Sequence, residues 1–357
     1  MTDGSMNALV LRAIGNAKVE RVPTPRPKQA RVRIRVAFCG ICNSDISRFF
    51  DKGPYSFPLV CGHELAGTVD QIGSGVRGFV PGDRVPVFPL LWCGNCAPCE
   101  RGLYEQCLNY DYLGSRSDGG FAEFVVAPAR NLLRIPPVVS LEEAALIEPA
   151  AVALHALRRA GGCTVGETVV VFGAGPIGLM VSQWARTMGA SPVVLIDLVP
   201  EKLELARQLG VDHVIDARKQ EAGEVIEKLT GGLGAHVCID AAGVPQATLQ
   251  AIRAARRGGR VVLLGNLRGD VTLSGDVISR TLRREVQIVG TWNSEFGVLG
   301  EDDDWHRSLV AMASKMIRVK PLITHRVRLE GAFEALQMMK QCTEFYCKVL
   351  VSPESGG

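Results

Sequence analysis

The segment that most restricts what this chain can fold into is a glycine-rich turn between two structured runs. Gly-Ala-Gly-Pro-Ile-Gly at 173–178 follows the apolar run 168–172 and opens a stretch with helical periodicity. In a G-x-G-x-x-G turn, the first glycine allows a tight bend, the second admits a pyrophosphate close to the backbone, and the third lets helix and strand pack closely. The helix N-terminus then faces the phosphates. The pattern predicts a dinucleotide site formed by Gly173, Gly175, Pro176, Ile177 and Gly178.

An acidic residue at the end of the next apolar run strengthens this prediction and indicates which dinucleotide binds. Asp197 ends the run 193–197, 19 residues after Gly178. Its carboxylate can accept hydrogen bonds from the adenosine ribose and would repel a 2′-phosphate, which favours NAD over NADP. The alternative interpretation is a structural glycine turn in an α/β domain that binds no nucleotide.

The chain around this turn alternates between short apolar runs and helical patterns. Such alternation predicts a parallel sheet with helices on both faces. The predicted segments are 168–172, 177–188, 193–197, 201–209, 213–215, 221–229, 237–239, 245–255 and 260–264.

The chain before this region has a different character. Up to about residue 135 it is rich in glycine, proline and short β-like runs, such as the Arg/Val/Ile alternation at 31–36. Helical periodicity returns at 141–160, the β/α alternation ends after about residue 290, and 348–351 again has the pattern of a strand. We therefore expect a mostly β domain beside the α/β domain.

Composition argues against several classes of function. Lys and Arg number 40 against 37 Asp and Glu, a net charge of +3, so we expect neither a nucleic-acid partner nor an anionic membrane surface. No apolar run approaches the roughly 18 residues of a membrane span. Residues 1–15 also lack the basic head and apolar core of a signal peptide.

Four of the 11 cysteines form a cluster with the spacing C-x2-C-x2-C-x7-C. Such clustering favours a metal in a reducing compartment over a set of disulfides, so we expect a cytoplasmic protein. Four thiolates close a tetrahedral zinc and leave no position for substrate, which predicts a structural site. An iron–sulfur cluster is the alternative. The predicted ligands are Cys93, Cys96, Cys99 and Cys107.

A second set of potential metal ligands is dispersed along the chain. Cys42 lies in Gly-Ile-Cys-Asn-Ser-Asp at 40–45, His63 in Gly-His-Glu at 62–64, and Glu148 precedes a proline. One sulfur, one nitrogen and one oxygen ligand would leave the fourth zinc position open for chemistry. Spacing alone does not join these three residues.

These motifs together resemble those of the zinc-containing medium-chain dehydrogenases over nearly the whole chain. The matching stretches are 40–45, 62–64, the four-cysteine lobe at about 89–110, Gly-Gly-Phe-Ala-Glu at 119–123, 148–149 and the glycine turn. Another branch of this family has cysteine at the position of Glu148. The glutamate here makes the chain resemble the polyol and sugar-alcohol branch. The segments 89–91, 109–123 and 290–292 are most similar to members that act on a polyol phosphate.

The resemblance implies a role for several residues. Cys42, His63 and Glu148 would be catalytic zinc ligands, and Glu64 an alternate or water-linked ligand. Asp45 would orient His63. Ser44 would take the proton of the substrate hydroxyl. Many relatives pass that proton on through a histidine five residues after the cysteine, where this chain has Ser47, so water would complete the relay here.

The resemblance also places two residues against the substrate. Arg48 and Asn293 occupy substrate-lining positions, and a guanidinium at 48 would suit a phosphorylated or acidic substrate. The alternative for Arg48 is a surface side chain.

The architecture and reaction that the resemblance implies can be stated together. It implies an α/β fold: a Rossmann domain with a doubly wound parallel sheet at 156–294 and a GroES-like β-rich catalytic domain at 1–155 and 295–357. The activity would be NAD-dependent oxidation of a secondary alcohol in a polyol or polyol phosphate, with one catalytic and one structural zinc per chain. Relatives imply a homodimer or homotetramer.

Three competing interpretations remain at this stage. The cysteine lobe could be a zinc ribbon of a nucleic-acid-binding module, which the near-neutral charge disfavours. The chain could be a zinc-free quinone reductase of the same superfamily, which the triplet Cys42, His63 and Glu148 disfavours. Within the favoured class, the substrate could be an unphosphorylated polyol such as sorbitol.

Overall fold

The computed structural model describes residues 4–298 and 302–353 and divides the chain into two compact units. The first unit draws its described residues from 1–148, 295–313 and 319–357. The second unit consists of Pro149–Ser294 with Ser314–Arg318. Residues 149–155, which we assigned to the catalytic domain, therefore cluster with the second unit.

The described residues form the following strands and helices. The strands are β1 Ser5–Ala13, β2 Asn16–Pro23, β3 Arg31–Gly40, β4 Leu59–Val60, β5 Glu64–Ile72, β6 Arg84–Pro86, β7 Leu90–Leu91, β8 Asp111–Tyr112, β9 Phe124–Pro128, β10 Val169–Phe172, β11 Val193–Asp197, β12 His213–Asp216, β13 Ala235–Asp240, β14 Ala255–Leu263, β15 Gln287–Gly290, β16 Ile323–Arg328 and β17 Lys348–Ser352. The α-helices are α1 Asn43–Phe50, α2 Ala97–Glu100, α3 Leu141–Ala144, α4 Ile147–Arg159, α5 Pro176–Thr187, α6 Pro200–Gln208, α7 Ala222–Leu229, α8 Pro245–Ala254, α9 Gly275–Arg283, α10 Asp304–Ala313 and α11 Ala332–Gln341. Short 3₁₀ turns lie at Tyr104–Gln106, Ala129–Asn131, Lys320–Leu322 and Leu329–Gly331.

The second unit contains a six-stranded parallel sheet in the order β12-β11-β10-β13-β14-β15. All four residues of β10 are buried, as expected for a central strand covered on both faces. The order changes direction between β10 and β13, and such a switch point at the carboxyl edge is where doubly wound folds bind ligands. The predicted doubly wound sheet is confirmed.

One strand and one helix of this sheet were missing from the sequence prediction. Beyond the last predicted segment, 260–264, the chain forms helix α9 and then strand β15, which adds to the edge of the sheet beside β14. Ser274 caps α9 by accepting a hydrogen bond from the Val277 N–H, a usable start signal. Strand β15 is only four residues long at the sheet edge and is mostly exposed, so its apolar pattern is weak.

The first unit is built mainly from antiparallel strands. Its largest sheet has the order β16-β17-β3-β5-β6, and β9 also pairs with β3. A three-stranded sheet, β2-β1-β4, and the pair β7-β8 complete the strands. This β-rich architecture confirms the expected GroES-like domain. Strands β3, β5 and β17 place residues 40, 64 and 350 in one region, because Gly40 pairs with both Glu64 and Leu350.

The chain that follows the second unit packs back into the first. Phe296 stacks on Phe88 with ring centroids 4.5 Å apart, and Trp305 meets both rings edge-on. All three side chains are almost completely buried. The aromatic cluster attaches Phe296 and helix α10 to the β-rich unit.

The helical stretch predicted at 141–160 is divided into two helices. Ser140 and Glu143 form a reciprocal capping box at the start of α3, which ends at Ala144. Helix α4 begins at Ile147 and carries Glu148 in its first turn. No helix among the described residues has the length and apolar character needed to cross a membrane.

Candidate active site

Cys42 lies at the N-terminus of α1, where its sulfur accepts a hydrogen bond. The Ser44 N–H approaches Cys42 Sγ at 3.5 Å, and the Cys42 N–H donates to Asp45 Oδ2 at 3.0 Å. The two contacts form a capping box in which a sulfur replaces the usual hydroxyl. The box fixes the positions of Cys42, Ser44 and Asp45 relative to one another.

His63, in the loop between β4 and β5, and Glu64, the first residue of β5, reach the same point. Ligand atoms of Cys42, His63 and Glu64 all lie within 4.8 Å of one another. His63 and Glu64 are buried, while Cys42 is half-buried. A sulfur, an imidazole nitrogen and a carboxylate oxygen this close together fit a zinc ion, which binds such atoms at about 2.0–2.3 Å.

Glu148 belongs to the same buried region but lies outside this closest group. Its side chain is buried, and Oε1 accepts a hydrogen bond from Tyr112 Oη at 3.4 Å. Burial raises the pKa of Glu148 to about 7, although the nearby His63 acts to lower it. The structure therefore brings Cys42, His63 and Glu64 together and places Glu148 beside them. Its role as a ligand stays a prediction.

Asp45 is fully buried and faces three partners. Its Oδ1 lies 2.7 Å from Arg48 Nη1 and 3.5 Å from His63 Nδ1, and the latter separation is too long for a strong hydrogen bond. Burial acts to raise the pKa of Asp45, but His63, Arg48 and the Cys42 N–H together hold it below its ordinary value. Asp45 is therefore ionised beside His63, and its role in orienting the imidazole stays a prediction.

Arg48, predicted to line the substrate, contacts the same Asp45 oxygen, Oδ1, that faces His63. Its Nη1 donates to Asp45 and also approaches Ser44 Oγ at 3.2 Å. Only 18% of the Arg48 side chain is exposed. The charge of Arg48 is therefore largely matched inside the protein, and its contact with substrate stays a prediction.

Asn293, the other predicted substrate residue, belongs to the second unit. Its backbone is left-handed, with φ of 55°, and its Oδ1 accepts a hydrogen bond from the Ser294 N–H at 2.8 Å. Its Nδ2 is buried without a hydrogen-bond partner. An unpaired amide of this kind is available to a hydroxyl oxygen.

Sequence analysis missed Lys348, the buried cation of this site. Its Nζ donates to both oxygens of Glu64, at 2.8 and 2.6 Å, and to the Ile41 carbonyl at 3.2 Å. Burial acts to lower the pKa of Lys348, but the Glu64 carboxylate holds it above its ordinary value. The sequence does contain an indication of this role, because a single lysine stands at the start of the otherwise apolar run 348–351.

Tyr112 is a second residue that sequence analysis did not single out. Its ring meets His63 edge-on, with centroids 5.8 Å apart, and its hydroxyl reaches Glu148. Burial and the Glu148 carboxylate raise the pKa of Tyr112 well above its ordinary value, so it remains a hydrogen-bond donor. Tyr112 thus positions the carboxylate of Glu148. Its place within the matching stretch 109–123 gave no indication of this contact.

The four predicted lobe cysteines also come together. Their sulfurs lie within 4.8 Å of one another, and those of Cys96 and Cys107 are 3.9 Å apart. Zn–S bonds of 2.3 Å in a tetrahedron imply sulfur–sulfur edges of roughly 3.8 Å, so the group fits zinc. Backbone N–H groups of Leu108 and Cys99 directed at Cys96 lower its pKa to about 6.

The glycine turn in the second unit has the geometry that its sequence predicts. Gly173 has φ of +104°, and a Cβ at Gly178 would lie 1.9 Å from the Gly173 carbonyl oxygen. A Cβ at Gly175 would meet nothing within 4 Å, which leaves this position open to an approaching group. Gly175 is the N-cap of α5, and Pro176 and Ile177 are its first residues.

Asp197 lies at the carboxyl end of β11, next to this turn. Its Oδ2 accepts a hydrogen bond from the Ala174 N–H at 2.6 Å, and Oδ1 accepts from the N–H groups of Leu198 and Val199. The carboxylate is therefore fixed beside the glycine turn. Its contact with a ribose stays a prediction.

Comparisons with known proteins agree with this arrangement. Residues 28–137 match the alcohol dehydrogenase GroES-like domain, and residues 176–315 match the zinc-binding dehydrogenase family. Galactitol 1-phosphate 5-dehydrogenase of Escherichia coli is 34% identical over 93% of this chain and 96% of its own length. Sorbitol dehydrogenase of Bacillus subtilis is 32% identical over 98% of each chain. The crystal structure of galactitol-1-phosphate dehydrogenase from Escherichia coli gives a TM-score of 0.91 at 34% identity, covering 98% of this chain and 100% of that one.

This chain belongs to the zinc-binding dehydrogenases, in the alcohol and polyol dehydrogenase group. It is an oxidoreductase that uses zinc and a nicotinamide dinucleotide to act on a small molecule. The resemblance identified from the sequence motifs is thereby confirmed.

The two cysteine groups should respond differently to substitution. We expect Cys99→Ser to lower the melting temperature by about 5–10 °C, because a closed metal site contributes folding energy. Cys42→Ser should abolish turnover with little change in melting. The exposed Cys342→Ser is the matched control and should change neither property. Melting curves and zinc content of the three variants test this assignment, and parent-like melting of Cys99→Ser with full zinc would contradict it.

Removing the Lys348 charge should strongly destabilise the first unit. Lys348→Met leaves Glu64 buried without its cation, which should cost about 3–5 kcal/mol in the free energy of unfolding. The control Arg326→Gln breaks an exposed pair with Glu142 and should cost at most about 1 kcal/mol. Urea unfolding of the zinc-loaded proteins measures both. Equal losses would contradict a structural role for the buried pair.

Proposed function

We propose that this chain oxidises a secondary alcohol of a polyol or polyol phosphate, similar to galactitol 1-phosphate, with hydride transfer to NAD. The observation that carries the proposal is the set of sulfur, nitrogen and oxygen atoms from Cys42, His63 and Glu64 within 4.8 Å, adjacent to the hydroxyl-bearing Ser44. Three protein ligands are typical of a zinc that keeps a position open for substrate.

The residues of the two metal sites have different proposed roles. Cys42, His63 and Glu148 are the proposed catalytic ligands, with Glu64 as an alternate ligand and Asp45 orienting His63. Zinc held by such a set acts as a Lewis acid that lowers the pKa of an alcohol. Cys93, Cys96, Cys99 and Cys107 are the proposed ligands of the structural zinc.

Ser44 is the proposed acceptor of the substrate proton. Its Oγ accepts a hydrogen bond from Arg48 Nη1 at 3.2 Å. The hydroxyl would give up its own proton as it takes the substrate proton, and the Arg48 N–H stabilises the negative charge that develops on Oγ. Ser47 is three residues further along α1, without the imidazole that relatives use. Water therefore carries the proton onward from Ser44 Oγ to solvent.

The cofactor and domain assignments are part of the same proposal. Residues 156–294 would bind NAD through Gly173, Gly175, Pro176, Ile177, Gly178 and Asp197. Residues 1–155 and 295–357 would form the catalytic domain, with Arg48 and Asn293 against the substrate. The clustering of four cysteines as metal ligands is the reason to expect a reducing, cytoplasmic location. We expect a homodimer or homotetramer, without nucleic-acid or membrane partners.

An unphosphorylated polyol is the second candidate substrate. The sorbitol dehydrogenase relative is about as similar to this chain as the galactitol 1-phosphate relative. The sorbitol-like or L-iditol-like activity needs the same zinc and proton acceptor and differs only in the groups that bind the far end of the substrate.

A substrate panel tests the proposal directly. NADH formation is measured with hexitols and pentitols and with their 1-phosphates, at equal concentrations and saturating NAD. We expect kcat/KM to be highest for a hexitol 1-phosphate. The highest value for a free polyol would favour the sorbitol-like alternative, and activity with none of them would contradict the assigned reaction.

Cofactor preference should depend on Asp197. Asp197→Ser removes the carboxylate that would accept hydrogen bonds from the ribose, so it should weaken NAD binding by about 1–3 kcal/mol. It should also reduce the difference between the affinities for NAD and NADP. Asp216, its register partner at the end of β12, gives the control Asp216→Asn, which should preserve the preference. Titration of both cofactors by fluorescence measures the effect. A parent enzyme that prefers NADP would contradict the ribose contact.

A further inference from the structure

Arg116 is enclosed between two tyrosine rings in the first unit. Its guanidinium carbon lies 4.3 Å from the Tyr55 ring centroid and 4.2 Å from that of Tyr110. Nη1 donates to the Tyr110 carbonyl at 3.2 Å, and Nη2 to Tyr55 Oη at 3.3 Å. Both rings lie within cation–π distance of the guanidinium, whose N–H groups lie in its own plane.

The charge of Arg116 has no counterion among the described residues. Its Nε is buried without a hydrogen-bond partner, and only two of its five N–H groups have acceptors. Arg48, in contrast, is paired with Asp45 at 2.7 Å. Because the contacts of Arg116 are to rings and neutral oxygens, its positive charge is not neutralised. Its remaining N–H groups can therefore donate hydrogen bonds to an anion.

The backbone fixes the loop of Arg116 against the residue that precedes His63. A Cβ at Gly114 would lie 2.4 Å from the Gly62 carbonyl oxygen, and a Cβ at Gly119 would lie 2.0 Å from it. The Arg116 N–H donates to the Tyr112 carbonyl at 2.9 Å. These close contacts allow little movement of the loop relative to His63.

A continuous row of aromatic contacts leads from Arg116 to the cluster of metal ligands. Tyr110 meets Tyr112 edge-on with centroids 6.4 Å apart, and Tyr112 in turn meets His63 at 5.8 Å. Arg116 is therefore connected to His63 through two rings, those of Tyr110 and Tyr112. A polyol chain that extends from the cluster past these two rings would bring its far end to Arg116.

We propose that Arg116, held between Tyr55 and Tyr110, determines specificity by binding the phosphate at the far end of a polyol phosphate. This inference rests on the proposed function and assigns its phosphate contact to a residue that the sequence prediction did not include. The edge of a guanidinium binds two phosphate oxygens at once. Because the rings already fix its orientation, binding costs little side-chain entropy.

The test compares one hexitol 1-phosphate with the corresponding free hexitol. Arg116→Gln should lower kcat/KM for the phosphate about 10- to 100-fold, mainly through KM, and leave kcat/KM for the hexitol within about twofold. Inorganic phosphate should inhibit hexitol oxidation competitively in the parent and not in the variant. Arg35→Gln is the matched control, since Arg35 also stacks on a ring, that of Phe124, but pairs with Asp70.

The possible outcomes separate this inference from the proposed function. A parent that oxidises neither compound overturns both, and a parent that prefers the free hexitol overturns the phosphate contact of Arg116 and favours the sorbitol-like alternative. A parent that prefers the phosphate, with the preference retained in Arg116→Gln, overturns only the role of Arg116. Equal losses on both substrates, with a lower melting temperature, identify a structural residue and also overturn it. If Arg116→Gln does not fold, Arg116→Lys replaces it: this variant keeps the charge without the fork, and the preference should fall to an intermediate value.

Discussion

Three carboxylates buried in one small region are the constraint on which the first unit depends. Asp45, Glu64 and Glu148 are each less than a tenth exposed. An ionised carboxylate without a partner is very costly to bury, so each needs a cation or strong donors. Arg48 forms an ion pair with Asp45, and Lys348 forms one with Glu64. Among the described residues, Glu148 has only the hydroxyl of Tyr112 as a hydrogen-bond donor, and burial raises its pKa to about 7. A zinc cation beside them would supply the charge that this cluster still lacks.

This constraint explains why the unit is assembled from distant parts of the chain. The carboxylates lie on α1, at the start of β5 and in the first turn of α4, while the lysine begins β17. The pairing of β3 with both β5 and β17 brings these elements together. The sheet order and the site chemistry are therefore two consequences of one arrangement.

Sequence was sufficient for features that depend on local pattern. The glycine turn, the four-cysteine lobe and most strands of the second unit are each recognisable within about thirty residues, since their geometry follows from backbone freedom, spacing and periodicity. Joining Cys42, His63 and Glu148 required a family resemblance, because their separation along the chain carries no spacing signal. Lys348 and Tyr112 escaped detection for the same reason: each becomes functional only through a contact far away in sequence. The divided helix at 141–160 depends on a capping box whose two residues had not been paired.

The position of Lys348 has a consequence for how the protein is made. All six strands of the second unit lie between residues 169 and 290, so that sheet can be completed while the chain is still being synthesised. Strand β17 must then insert between β16 and β3, and only at this step does Glu64 acquire its cation. Until β17 has left the ribosome, the metal-binding residues remain in an incomplete sheet. A competent site therefore forms only after a strand made about 280 residues later than Glu64 has entered the sheet.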